Sequence, residues 1–282
     1  MSSQANPSAQ EFDYPQPVAR LLAIGDPNEQ PDFEWPNYPA LYQLAPPDLP
    51  ALIRMATDKD LYALDPEIRA SWAPIHAWRA LGQLKAVEAV PALLTLFRRA
   101  DEADDEWVLE ELPVVMEKIG PPAIPHLAAF LADPANPLWA RVSAATALEK
   151  IGNHDPETRA DCLAALTTAL QAYRETDPEL NALIISALAR LKAVEAAPLV
   201  EQAFLAERVD EFVMGDWEDF QVAVGLLDER TTFPDDDLVI TSPYEDLLPD
   251  LARRKARTPE EKKAKKKQKQ ARQMRKKNRK KK

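Results

Sequence analysis

Eighteen of the last thirty residues are lysine or arginine, and only Glu260 and Glu261 among them are acidic. Lys265, Lys266, Lys267, Lys269, Arg272, Arg275, Lys276, Lys277, Arg279, Lys280, Lys281 and Lys282 form a dense cationic strip with no interleaved aromatic. Such a strip can neutralise phosphates in series but has no ring on which a base stacks. It predicts sequence-independent binding of a polyanion, RNA or a ribosome. The competing reading is a solubilising tail, or one that folds back on an acidic body. The rest of the chain is that body. The net charge of −11 averages +16 over residues 253–282 with −27 over the preceding 252.

Other residue types offer less chemistry. Trp72, Trp107 and Trp139 each stand twelve residues before an anchor of the repeat described below, roughly 120° round a helix from its apolar stripe. They read as packing at the edge between repeats, or as an aromatic ridge for a protein partner. His76, His126 and His154 share no helical spacing, and a zinc site needs three or four converging ligands, so no metal is expected. Cys162 lies on an apolar helix face and reads as a small buried hydrophobe. A single cysteine excludes an internal disulfide framework and suits a reducing compartment. Carboxylates are abundant (Asp104, Asp105, Glu106, Glu110, Glu111, Asp216, Glu218, Asp219) and read as solvated faces. The six glycines are scattered singly, so there is no phosphate-cradling loop, and no nucleophile elbow is present. No catalytic residue and no cofactor are expected.

The elements behind these residues follow from a repeated octapeptide. Residues 84–91, Leu-Lys-Ala-Val-Glu-Ala-Val-Pro, return at 191–198 with one change. With Leu84, Ile119, Ile151 and Leu191 as anchors, four stripes align: Ala73, Ala77, Ala80, Leu81, Leu84; Val108, Leu112, Val115, Met116, Ile119; Ala140, Ala144, Ala147, Leu148, Ile151; Leu180, Ile184, Ala187, Leu188, Leu191. All are apolar at the spacing of one helix face. Each stripe then stops. Gly120 and Gly152 are expected as left-handed residues after their helices, with Lys85 and Lys192 in the corresponding places. A second helix restarts with Pro91, Pro125 or Pro198 in its first turn. Anchor spacings of 35, 32 and 40 residues match the HEAT/armadillo class of helix-pair repeats.

The expected fold is therefore all-α: a right-handed superhelical α-solenoid of about five HEAT-like helix pairs over residues 38–230. A Pro-rich cap over 1–37 precedes it, with about ten disordered residues and a short helix at Val18–Ile24. Tyr38–Tyr42 is expected to run irregularly over the surface. An acidic linker with a short helix follows at 231–252, then the disordered basic tail at 253–282. Asp216 is expected to cap the final helix.

The stretch Leu131-Ala132-Asp133-Pro134, Leu138-Trp139-Ala140-Arg141 and Ala147-Leu148-Glu149-Lys150-Ile151-Gly152 resembles the HEAT pattern. That resemblance implies a pairing of Asp133, at the end of one repeat, with Arg141 in the next helix. Residues 72–84, 107–113 and 215–227 are similar to bacterial HEAT-like proteins, some of which end in a Cys-rich SEC-C-type metal motif. That motif is absent from this sequence, so no metal role carries over. The expected function is a non-enzymatic scaffold that holds a protein partner on its concave, second-helix face and a polyanion on its tail. One alternative is an acidic chaperone-like binder of basic proteins, with the tail as internal competitor. The other is an enzyme like the tetrapyrrole lyases or DNA glycosylases built on HEAT-like folds. No apolar stretch reaches the ~18 residues of a membrane span, and the first thirteen residues lack a signal-peptide pattern. The cytoplasm is the expected location.

Overall fold

The computed structural model describes residues 12–29, 35–103 and 105–231. By internal packing the chain divides into residues 1–236 and 237–282. The cationic strip at 265–282, the acidic linker beyond residue 231 and the first ten residues lie outside the described ones.

The described residues are helical, with no strand among them. Three short helices come first: α1 (Tyr38–Tyr42), α2 (Leu49–Ala56) and α3 (Lys59–Tyr62). Four pairs follow: α4 (Ala73–Gln83) with α5 (Val90–Ala103), α6 (Glu106–Ile119) with α7 (Ile124–Ala132), α8 (Leu138–His154) with α9 (Arg159–Leu170), and α10 (Pro178–Arg190) with α11 (Ala197–Leu205). α12 (Glu211–Met214) and α13 (Trp217–Val224) end the series. Each first helix packs on the next, α4 on α6, α6 on α8 and α8 on α10, while α5 packs on α7 and α7 on α9.

The aligned stripes make the core. Nineteen of the twenty positions are buried, and only Leu84 is half-exposed. A fully buried leucine such as Leu112 or Leu148 contributes roughly 1.5–3 kcal/mol by leaving water.

The repeated octapeptide is the turn inside a pair. Lys85 (φ 52°) and Lys192 (φ 55°) adopt left-handed conformations. Ala86 N–H then donates back to Leu81 O, and Ala193 N–H to Leu188 O, both at 3.0 Å, which closes the helix in a Schellman turn. A 3-10 turn follows at Val87–Ala89 or Val194–Ala196 before the second helix starts. Pro125 and Pro198 sit in the first turns of α7 and α11, and Pro91 is the second residue of α5.

Three expectations need correction. Gly120 has φ 87° and ψ −151°, outside the left-handed helical region and open essentially only to glycine. Gly152 does not stop its helix, because α8 runs on to His154 and is capped by Asp155. Its lack of a side chain serves packing instead. A Cβ there would lie 3.0 Å from Leu191 Cδ2 and 3.2 Å from Cys162 Cβ. Gly152→Val should therefore destabilise by about 1–3 kcal/mol, the range for overpacking a filled core, and a urea midpoint lowered with unchanged m-value would show it. The third correction is Tyr38–Tyr42, which forms a helix capped by Asn37, with Tyr38 wholly buried.

Val18–Ala23 is a 3-10 helix that packs on α4 and on the turn Arg69–Trp72. Asp216 caps α13 as expected. Its side chain accepts from Asp219 N–H (3.0 Å), and Asp219 Oδ2 accepts from Asp216 N–H (2.9 Å).

Candidate partner-binding face

The sequence places Trp72 and Trp107 at matching positions, and the fold brings them together. Their rings meet edge to face with centroids 6.0 Å apart, both half-buried against the core. Trp72 Nε1–H donates to Pro66 O at 2.9 Å. Trp139 is half-buried, with its backbone N–H on Asp101 Oδ1 at 3.0 Å. Trp72 and Trp107 thus meet where α4 and α6 start, and Trp139 on α8 meets the end of α5.

Charged and polar side chains bridge successive first helices. Arg79 on α4 holds Glu111 on α6 through Nε at 2.8 Å and through a second, shorter contact from Nη2. Glu117 on α6 meets His154 at the end of α8 at 3.3 Å, and Glu149 on α8 meets Arg190 on α10 at 3.6 Å. The first pair is the buried one: the Arg79 side chain is 7% exposed and that of Glu111 15%. Burial alone would push the Arg79 guanidinium down, but its bonds to Glu111 outweigh that and hold it above the ordinary arginine range. Trp78 Nε1–H also donates to Glu111, at 3.3 Å.

On α4 this face is covered by the chain's own N-terminal segment. Gln83 uses both ends of its amide, Nε2 donating to Pro36 O and Oε1 accepting from Tyr38 N–H, each at 2.9 Å. Behind it, His76 Nε2 is 2.8 Å from Gly25 O and Nδ1 is 2.7 Å from the Tyr38 hydroxyl. A carbonyl only accepts, so Nε2 carries the proton and Nδ1 accepts from Tyr38. Trp35 lies 5.2 Å from the Arg79 guanidinium and 5.3 Å from Lys118 Nζ, between two cations.

Beyond α4 the corresponding positions are mixed: Val114, Thr146, Lys150, Leu183 and Arg190 are half-buried, Ser143 and Ser186 are buried, and Lys118 is exposed. On the second helices Thr95, His126, Ala164 and Leu205 are exposed. A cleft of about 830 Å³ opens where the covering segment meets the C-terminal ends of α4, α6 and α8, walled by Trp35, Asn37, Glu117, Lys118 and His154. Its charges are mixed, so it suits a polar chain segment better than a small ion.

Asp133 and Arg141 do not form the direct pair that the HEAT resemblance implies. Arg141 Nε donates to Leu131 O at 2.7 Å, and Asp133 Oδ1 accepts from Ala135 N–H at 2.9 Å. Each caps the chain reversal from its own side, and the aspartate reaches the guanidinium only as a field opposing the effect of burial. Cys162 is buried, and burial pushes its thiol up to about 11, which suppresses the reactive thiolate.

Tyr38, His76, Gln83, Arg79 and Trp35 were not singled out together by the sequence, since none recurs at the repeat period. Their one signal is the Pro-flanked aromatic run Trp35-Pro36-Asn37-Tyr38-Pro39. No group of three His, Cys, Asp or Glu side chains able to hold a metal occurs among the described residues, and no helix among them is long and apolar enough to cross a membrane. Compared with protein-family models, with curated proteins and with solved structures, the chain shows no match.

Proposed function

We propose that the chain is a non-enzymatic adaptor, an α-solenoid of about five HEAT-like helix pairs whose first-helix face holds an extended segment of a protein partner. Its basic tail holds a polyanion such as RNA. One observation carries the partner half: the Gln83 amide of α4 already pairs with the Pro36 carbonyl of the irregular stretch before α1 and with the N–H of Tyr38, where α1 begins. Backbone pairing of this kind reads an extended chain with little regard to side chains. Half-buried Val114, Thr146, Lys150, Leu183 and Arg190 continue that face onto α6, α8 and α10.

The tail half is supported by charge alone, +16 over residues 253–282. If about eight of those cations engage single-stranded RNA, log affinity should fall with log salt at a slope near −6. Filter binding across a salt series measures it, and a 1–252 truncation that binds RNA as well as the full chain refutes the tail's role. The same truncation separates the acidic-chaperone reading, in which removing the tail tightens the binding of basic clients.

A further inference from the structure

We propose that the α11–α12 end of the repeat series is a second docking surface, for a basic partner segment that carries large apolar side chains. Two observations meet there. Leu205, the last residue of α11, is 79% exposed and Phe212 in α12 is 66% exposed, the highest values among the large hydrophobics of the described residues. Terminal repeats of stacked arrays ordinarily present a polar outer face, because nothing stacks on them. This one keeps apolar side chains in water, at a cost that a partner would remove by covering them.

The surroundings select the partner's charge. Residues 193–230 hold ten acidic residues and two arginines. Both arginines are committed: Arg208 donates to Thr176 O (2.7 Å) and Tyr173 O (3.4 Å), and Arg230 clamps Asp216 and Asp219. Glu195 pairs with Arg159 at 2.8 Å. Glu201, Glu207 and Glu211 are exposed, flank Leu205 and Phe212 in sequence, and make no ion pair among the described residues. Glu207 holds a left-handed backbone (φ 54°), and Arg208 N–H returns to Ala203 O at 3.0 Å. That closed turn ends α11 just past Leu205 and leads the chain into α12, whose second residue is Phe212. A second copy of the chain is a poor occupant, since two-fold pairing would set these carboxylates against each other. A segment with lysines or arginines around leucine-like anchors satisfies both features.

The test uses the full chain and two labelled synthetic amphipathic peptides, with leucines at helical spacing and either lysines or glutamates elsewhere. Fluorescence polarisation should show binding of the lysine peptide only, weakening as salt rises. Leu205→Ser/Phe212→Ser should weaken it about tenfold, which is about 1.4 kcal/mol. Glu201→Lys/Glu211→Lys should weaken it comparably, with the urea midpoint unchanged in both because every altered side chain is exposed. The proposal is overturned by equal binding of the glutamate peptide, by no binding of either, or by retained affinity in both variants. It is also overturned by a sedimenting dimer that the Leu205/Phe212 variant dissolves. None of these outcomes bears on RNA binding by the tail or on the first-helix face.

Discussion

Glu111→Leu should destabilise the fold by about 3–5 kcal/mol, the range for stranding one partner of a buried ion pair. The change leaves the Arg79 guanidinium in a site where the residue is 6% exposed. It also removes the acceptor of Trp78 Nε1–H, on a tryptophan that is wholly buried. The cost comes from the abandoned charge and not from the lost contact, and a second substitution separates the two. Arg79→Met in the same chain removes the stranded cation while keeping much of its volume. The double variant should recover at least about 2 kcal/mol of the loss, short of full recovery by the stacking of Arg79 on Trp35, worth ~0.5–1 kcal/mol. Urea unfolding followed by far-UV circular dichroism gives all four corners of the cycle. A single variant costing under about 1 kcal/mol would show that water reaches the pair and that the junction between α4 and α6 is looser than described.

The repeats were legible because their signal is redundant. Four helices carry the same five apolar positions, and each is held by packing that local sequence already favours. Lys85 and Lys192 show how far this goes: a turn that elsewhere takes glycine is recognisable through lysine, because the helix before it and the proline after it fix where the chain must reverse. Gly152 shows the limit. A glycine after an apolar stripe reads as a stop, yet whether α8 ends there depends on Leu191 and Cys162, neither of which is local. The Asp133–Arg141 expectation failed for a related reason. An acid and a base at the right spacing both find carbonyl or N–H partners at the reversal, and those bonds satisfy them before a pair forms.

The candidate face was the least legible part. Its contacts join Gly25 to His76 and Pro36 to Gln83, single residues 51 and 47 positions apart that no period links. Prolines at 36 and 39 mark the segment as irregular, which holds for residues 35–37 and fails from Tyr38, where α1 begins. Buried polar groups must find partners, so wholly buried His76 is the residue from which a covering segment can be inferred. Its partner cannot be.

That histidine makes the fold sensitive to mild acid. Burial, opposed only in part by the Gly25 carbonyl, pulls His76 down to about 4 from an ordinary 6.5, and the neighbouring Arg79 charge acts in the same direction as burial. Between those values the unfolded chain binds a proton that the folded chain refuses. Stability is therefore complete above about pH 6.5 and is lost as pH falls toward 4, by about 3 kcal/mol at the bottom of the window. At Asp216 burial alone would raise the carboxyl, but the bonds from Arg230 and Asp219 N–H outweigh it, and Arg159 holds Glu195 down. Both lie below the ordinary carboxylate range and add their losses only at lower pH. Urea midpoints at steps from pH 7 to 4.5 would trace the curve, and His76→Gln supplies the control. That variant should start about 1–3 kcal/mol less stable, because the Tyr38 hydroxyl and the Gly25 carbonyl lose well-placed partners. It should then lose less on acidification, so the two curves converge. Parallel curves would mean that His76 takes up its proton inside the fold, with Gly25 and Tyr38 free to move apart, and that the segment over α4 is a mobile cover and not a fixed one.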